Sequence, residues 1–384
     1  MKYRVLGRTG LKVSEIGFGG EYLLNLSEKE AVSIIHKAND NGINVIDCWM
    51  GDPVSRAYIG KGISRNRNQW YLQGHIGSTW VDGKYKKTRD VEECRVGFDH
   101  MLSVMGTDYA DFGMISILDD PKEWLRLVNG PYIDFVHELK KNGKIRYVGL
   151  STHNPVLGVM AAESGEIDMM LFSVNPAFDM LPTSNSTTQL WDNDIYDKLG
   201  LEGKIAPDRE LLYRTCEKLN IGMTVMKTFA GGRLLSKERS PFGVALTPSQ
   251  CIHYALTHPA VSSVLCGYGK MSDLDDALKY LTASDEEKDY ASVLSKAPKH
   301  AYFGQCTYCG HCLPCPKNID IPSVNKYYDL ASTGEVVQDS LREHYKSLNA
   351  HASDCIGCKL CESRCPFGVK VSERMQTTRE MFGF

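Results

Sequence analysis

Between residue 13 and about residue 282, short apolar runs rich in β-branched residues alternate with longer stretches whose apolar positions recur at helical spacing. That alternation predicts repeated βα units around a parallel sheet. The candidate strands number eight, at residues 13–19, 44–49, 70–76, 110–118, 147–151, 169–174, 222–227 and 262–266. Eight βα units that close on themselves make an α/β fold, the (β/α)8 or TIM barrel, which takes about 250 residues. The helices carry their own punctuation: segment 29–39 follows Ser27, with Glu30 three positions on, the pattern of a capping box.

The barrel order is interrupted between the sixth and seventh strands. Residues 182–208 are polar, rich in Ser, Thr, Asn and Asp, and too long for an ordinary βα loop. The stretch reads either as a lid over a site at the barrel mouth or as a surface excursion. Beyond residue 283 the βα pattern stops. Residues 284–300 are charged with helical character, and from Cys306 to Phe384 the composition changes again. This divides the chain into a barrel, residues 1–290, and a second domain, residues 291–384.

Composition narrows the picture. The chain has 384 residues, 42% hydrophobic and 24% charged, with a formal net charge of −3. That is globular usage, unlike a disordered segment or a surface that coats nucleic acid. No run approaches the roughly 20 apolar residues of a membrane span, and the first residues, beginning Met1-Lys2-Tyr3-Arg4, lack the apolar core of a signal peptide. The sequence therefore predicts a cytoplasmic protein with no membrane or nucleic-acid partner. In a reducing compartment its 13 cysteines point to metal or redox chemistry rather than to disulfides.

Eight of those cysteines lie between Cys306 and Cys365. Cys306, Cys309, Cys312 and Cys315, followed by Pro316, form CxxCxxCxxCP; Cys355, Cys358, Cys361 and Cys365, followed by Pro366, form CxxCxxCxxxCP. The second is the bacterial ferredoxin run, and the first is one residue shorter before its last cysteine. Two-residue spacers let a tight loop aim three thiolates at three irons of one cube, while the cysteine before proline reaches the other cube. The spacing thus predicts one [4Fe-4S] cluster on Cys306, Cys309, Cys312 and Cys365, and a second on Cys355, Cys358, Cys361 and Cys315. Zinc is the alternative, since paired CxxC units bind it too. It gives no reason for four evenly spaced cysteines before a proline, twice. Helical pieces at 321–331 and 338–347 make this a mainly helical two-cluster ferredoxin-like domain. Cys48, Cys94, Cys216, Cys251 and Cys266 read as small buried residues.

Five stretches, MKYRVLGRTGLKVSEIGFGG, NVIDCW, IRYVGLSTHNP, MKTFAGGRLL and CGYGKMSDLDDALKYL, together resemble the aldo/keto reductase family, in the branch with a C-terminal two-cluster ferredoxin domain. The resemblance implies a tetrad of Asp, Tyr, Lys and His at the C-terminal mouth of the barrel, with nicotinamide hydride delivered to a carbonyl that the Tyr protonates. The chain keeps one of the four. Asp47 matches the Asp. Where DTAxxYG is expected, it reads Asp47-Cys48-Trp49-Met50-Gly51; His75 replaces the Lys, and Ser116 or Ile117 stands for the His. A methionine cannot donate a proton, and no neighbouring lysine lowers a tyrosine pKa. His75 is either an acid or base in its own right or a structural histidine partnered by Asp47. His153, two residues after Ser151 where the family places nicotinamide contacts, is the second candidate proton donor, or a histidine satisfied by backbone.

The resemblance also places dinucleotide phosphates at the last βα loop, where Gly267, Gly269, Lys270 and Ser272 fit at a helix N-terminus, with Asp276 at the acidic contact to adenine. Ala277 replaces the usual Asn, and Phe172 or Ser173 the Gln beneath the nicotinamide. Lys227, Gly231 and Gly232 belong to the other pyrophosphate loop, or to a turn with a solvated lysine. NADP(H) is thus a candidate cofactor. Cubane clusters move single electrons whereas nicotinamide gives a hydride, so a flavin is a second candidate as converter, although no GxGxxG fingerprint follows a strand. Three functions remain open. The first is an iron-sulfur oxidoreductase acting on a small molecule at the barrel mouth, with Asp47, His75 and His153 in the site. The second is an NADP(H)-dependent carbonyl reductase with structural clusters. The third is a non-catalytic electron-transfer protein that docks a ferredoxin or another redox protein.

Overall fold

The computed structural model describes the chain apart from residues 193, 200, 201, 333–336 and 338. Eight parallel strands close into a barrel in sequence order: β1 (Ile16–Gly19), β2 (Val45–Cys48), β3 (Tyr71–Ile76), β4 (Ala110–Ile115), β5 (Ile145–Thr152), β6 (Met169–Ser173), β7 (Gly222–Met226) and β8 (Val261–Gly267). The ring closes where Val264 of β8 pairs with Ile16 of β1. The fold class is the (β/α)8 barrel that the sequence pattern predicts. No helix among the described residues is long and apolar enough to cross a membrane.

Two strands, β1 and β4, fall short of their apolar runs by three residues, more than any other. Residues 13–19 split at Ser14, whose hydroxyl donates to Ile16 O and whose amide donates to the Asn44 side chain. Before that bend, Lys12–Ser14 pairs antiparallel with Tyr3–Val5. β4 ends at Ile115, two residues before Ile117 takes a positive φ of 39°. An unforeseen hairpin, Ser78–Val81 with Lys84–Lys87, follows β3 and turns through Asp82-Gly83, both at positive φ. Asp-Gly is the strongest short hairpin signal.

Strand side chains alternate between faces, and this sorts the barrel interior into layers. Leu6, Val13, Val45, Phe112, Met114, Met169, Leu171 and Leu265 form one apolar plug. Two residues beyond Val45 and Met114 stand Asp47 and Ser116, lifted to the C-terminal mouth by the same alternation. Outside, helices bury one face each. The capping box is present in full at Glu28–Asp40, with Ser27 and Glu30 bonded reciprocally.

The stretch 284–300 is not one helix. Asp285–Lys288 and Ala291–Leu294 are separated at Asp289, whose carboxylate accepts the Ser292 amide and starts the second turn afresh. In the cysteine-rich region, helices run over Ile321–Ala331, Asp339–Lys346, Leu360–Arg364 and Val371–Phe382. Residue 338, the expected start of the second, lies outside the described residues. The insertion between β6 and β7 reaches this region: Glu202–Gly203 pairs with Ala301–Tyr302, and the Ile205 amide donates to Gln305 Oε1 at 2.8 Å.

A fully buried carboxylate, Asp179, anchors that contact. It accepts Arg209 Nη1 at 3.1 Å, the Tyr213 hydroxyl at 2.5 Å and the Tyr254 hydroxyl at 2.7 Å, with His258 Nε2 3.3 Å away. Burial pushes its carboxyl up, but His258, Arg209 and Tyr213 outweigh burial and hold it below the ordinary range. Removing one member of a buried charge pair strands the other. Arg209→Met is therefore expected to cost about 3–5 kcal/mol of unfolding free energy in urea; a loss below about 1 kcal/mol would show that neutral donors suffice.

Candidate active site

The barrel mouth encloses a cavity of about 490 Å³. Its floor and walls are apolar, from Trp49, Leu171, Met226, Phe229 and Leu265, and Asp47, His75, Ser151, His153 and Lys227 also line it. Such a volume, mostly apolar with a few convergent polar groups, suits a small molecule. Of the sequence-expected nucleotide residues, Gly231, Gly232, Gly267, Gly269 and Asp276 reach the cavity, whereas Lys270 and Ser272 do not. Phe172 is buried, with the Arg209 guanidinium 4.9 Å from its ring, and is likewise absent from the lining. Nor does any described residue of the insertion 182–208 line the cavity; residues 202–205 of that segment bond instead to residues 301–305 beside the cysteine-rich region.

The two histidines differ in what their rings have left to offer. His75, 1% exposed, has Nε2 2.9 Å from Asp47 Oδ1 and Nδ1 3.3 Å from Ser116 Oγ. In the tautomer protonated at Nε2, Asp47 accepts one hydrogen bond and Ser116 donates the other. Both ring nitrogens are then satisfied. His153 instead places Nδ1 3.2 Å from Asp119 Oδ2, and its amide donates to Asp119 Oδ1 at 2.6 Å. Its Nε2 has no hydrogen-bond partner among the described residues. Burial pushes the Asp119 carboxyl up, but the hydrogen bonds and charge of His153, helped by the Thr152 hydroxyl, bring it below its ordinary 3.8. A carboxylate on one imidazole nitrogen of a cavity-lining histidine, with the other nitrogen unpartnered, is the arrangement of an oriented acid or base.

Asp119 went unnoticed in the sequence. It closes the run MISILDD just past β4, the end of a barrel strand where reactive groups gather, and that position was the available signal. Backbone strain marks the same rim: Ile117, Lys227 and Ala230 all hold positive φ without being glycine, a costly state that persists where surrounding structure enforces it. Thr228, 2% exposed, lines the cavity with an unpartnered hydroxyl.

In the cysteine-rich region the two runs interleave. Cys306, Cys309, Cys312 and Cys365 ring one small cavity, and Cys315, Cys355, Cys358 and Cys361 ring another. No three His, Cys, Asp or Glu side chains among the described residues converge as ligands of a single ion do. Burial pushes the Cys306 thiol up, and Cys312 to about 12, so both stay protonated at neutral pH unless a metal displaces the proton. The first group faces the barrel, because the Tyr290 hydroxyl donates to Thr307 O at 2.9 Å and its ring packs 5.1 Å from Tyr254. The second faces solvent, with Cys358, Ile356 and Leu360 exposed. The other five cysteines are buried, and burial raises their thiols, Cys48 and Cys216 to about 12, which makes them inert.

Comparison with known proteins places these features. Residues 15–250 match the Aldo/keto reductase family and residues 305–370 the 4Fe-4S dicluster domain. YqkF, an uncharacterized oxidoreductase of Bacillus subtilis strain 168, is 26% identical over 300 residues, 74% of this chain and 92% of its own length. L-galactose dehydrogenase of Arabidopsis thaliana is 31% identical over 159 residues, 39% of this chain, and the chain spans about half, 48%, of that enzyme. Among solved structures, an aldo-keto reductase from Bacillus halodurans in its holo form shares the fold with a TM-score of 0.59 at 20% identity, over 79% of this chain and 99% of its own.

The Asp119–His153 pair has a pH signature. A carboxyl depressed below 3.8 contributes stability that is complete above that value and lost as pH falls through the folded pKa. His153→Leu removes the ring's hydrogen bond and charge while the backbone amide and the Thr152 hydroxyl stay, so the Asp119 pKa rises and the variant carries a penalty at neutral pH that fades as Asp119 takes up a proton. The stability gap between wild type and variant in urea is expected to be about 1–3 kcal/mol at pH 7 and to narrow toward pH 4. A gap that does not change with pH would remove the pairing.

Proposed function

This chain belongs to the aldo/keto reductase family, is an oxidoreductase and ends in a 4Fe-4S dicluster domain, and on that basis we propose that electrons reach a small molecule in the barrel mouth through two [4Fe-4S] clusters while His153 moves the proton. The observation that carries this reading is the contrast between His153, a cavity-lining residue whose Nε2 has no hydrogen-bond partner among the described residues, and His75, with both nitrogens bonded.

The donor sets fit the clusters. Four sulfurs around each cavity, too spread for one ion, suit a cube rather than zinc. In this reading Cys306, Cys309, Cys312 and Cys365 hold the inner cluster and Cys315, Cys355, Cys358 and Cys361 the outer one, and each supplies electrons singly when bound. The protein parts do the rest. Apolar walls exclude water, Asp119 fixes the His153 ring, and His153 Nε2 delivers a proton to the atom that gains electron density. Two electrons and two protons complete the reduction, the second proton coming from solvent. Asp47 and His75 line the cavity as a hydrogen-bonded pair, and Ser151 lines it too. We place the chain in the cytoplasm, where its free thiols persist, with a ferredoxin-like protein supplying electrons to the exposed Cys358 side.

Turnover by dithionite-reduced protein is expected to fall about 100-fold or more in His153→Ala and less than about tenfold in His75→Ala; the opposite order would transfer the proton to His75. Shared ligation makes a second test. Under anaerobic EPR, Cys365→Ser should perturb the same cluster signal as Cys306→Ser, and Cys315→Ser the same signal as Cys355→Ser. Pairing of Cys365 with Cys355 instead would contradict the crossed assignment.

A further inference from the structure

The family fold implies a dinucleotide whose phosphates lie at the last βα loop, and the residues there do not fit one. We infer that this loop carries its own anion, the Asp273 carboxylate, and that the barrel for this reason takes no pyridine dinucleotide.

Two backbone amides at this helix start that could hold a phosphate are already committed. Gly269 N–H donates to Asp273 Oδ2 at 2.9 Å and Lys270 N–H to the same oxygen at 3.1 Å. Asp273 sits in the first turn of the helix Met271–Leu278, where a negative group satisfies both the orphan amides and the helix dipole. It therefore fills the anion site by the physics that would bind a phosphate. A phosphate that used these two amides would have to displace a carboxylate that is tethered to the chain.

The surrounding charge has the wrong sign as well. Glu21, Asp273 and Asp276 all line this end of the cavity. The lysines at this loop are engaged or turned away: Lys279 pairs with Asp276 at 2.7 Å, Lys37 pairs with Asp275, and Lys270 is exposed outside the lining, which leaves Lys227, from the loop after β7, as the lysine that lines the cavity. Tyr22 reports the same field, since Glu21 and Asp273 add to burial in raising its phenol. Its ring also lies over the loop, so close that a Cβ at Gly267 would meet it at 2.6 Å. A glycine here serves the ring's approach, and the ring takes the space beside the loop.

With that arm closed, the cavity is left to the substrate alone, and its acidic rim favours a neutral or cationic molecule over a phosphorylated one. The inference stands whether or not His153 is the proton donor, and its test does not involve turnover. Isothermal titration of the full, as-isolated chain with NADPH and with NADH is expected to show no saturable binding below about 1 mM. Asp273→Ala frees both amides and removes the charge, and should gain NADPH affinity by about tenfold or more. Asp276→Asn removes a charge without freeing an amide, and should gain less than about threefold. Saturable binding of either nucleotide to wild type below about 1 mM overturns the inference. So does an Asp273→Ala protein, folded by circular dichroism, that gains no more than Asp276→Asn. Should that variant fail to fold, the wild-type titration decides alone.

Discussion

A single carboxylate, Asp179, sits fully buried between the barrel and the elements that carry the cysteines, and it cannot remain ionised there without its ring of donors. Arg209 and Tyr213 reach it from the helix Pro207–Lys218, and Tyr254 from Pro248–Thr257. Tyr254 then packs on Tyr290, which bonds Thr307 beside the first cysteine run, while Tyr302 donates to Pro176 O just before Asp179. A chain of aromatic side chains with polar tips thus seats the cysteine-rich region against one flank of the barrel. Tyrosine suits this place, since its ring fills an apolar layer and its hydroxyl finds a partner.

The barrel mouth follows a different rule, the two-residue alternation of strands. The same faces that fill the interior with Val45, Met114 and Leu171 lift Asp47, Ser116 and Ser151 to the rim. Once there, each polar group is judged by what it has left to give. Asp47 and His75 spend their capacity on each other and on Ser116. Asp119 spends its own on His153 and so fixes the ring of a cavity-lining histidine whose other nitrogen has no partner among the described residues. Asp273 closes the opposite rim by satisfying its own helix. Each of these groups draws its partner from a neighbouring strand, loop or helix end.

Much of this was legible in the sequence where the determinants are local. Strand positions followed from apolar runs, the Ser27–Glu30 capping box from its spacing, and the grouping of the two cysteine runs from their two-residue spacers and prolines. Long-range pairings were not legible. Nothing local to residues 182–208 says that Gly203 pairs with Tyr302, and a helical composition at 284–300 does not reveal that Asp289 restarts the helix. The Asp82-Gly83 signal was present and passed over. Asp119 lies two or three residues past the family's histidine position, Ser116 or Ile117, and nothing local marks it as a partner of His153; at Asp273 a capping carboxylate and a phosphate site look alike in one dimension.

The account stands on two iron-sulfur cubes feeding a barrel cavity, and the most direct measurement is the iron, acid-labile sulfide and zinc content of the chain purified without oxygen. It predicts about eight irons and eight sulfides per chain with no zinc. Stoichiometric zinc, or fewer than about six irons, would contradict it.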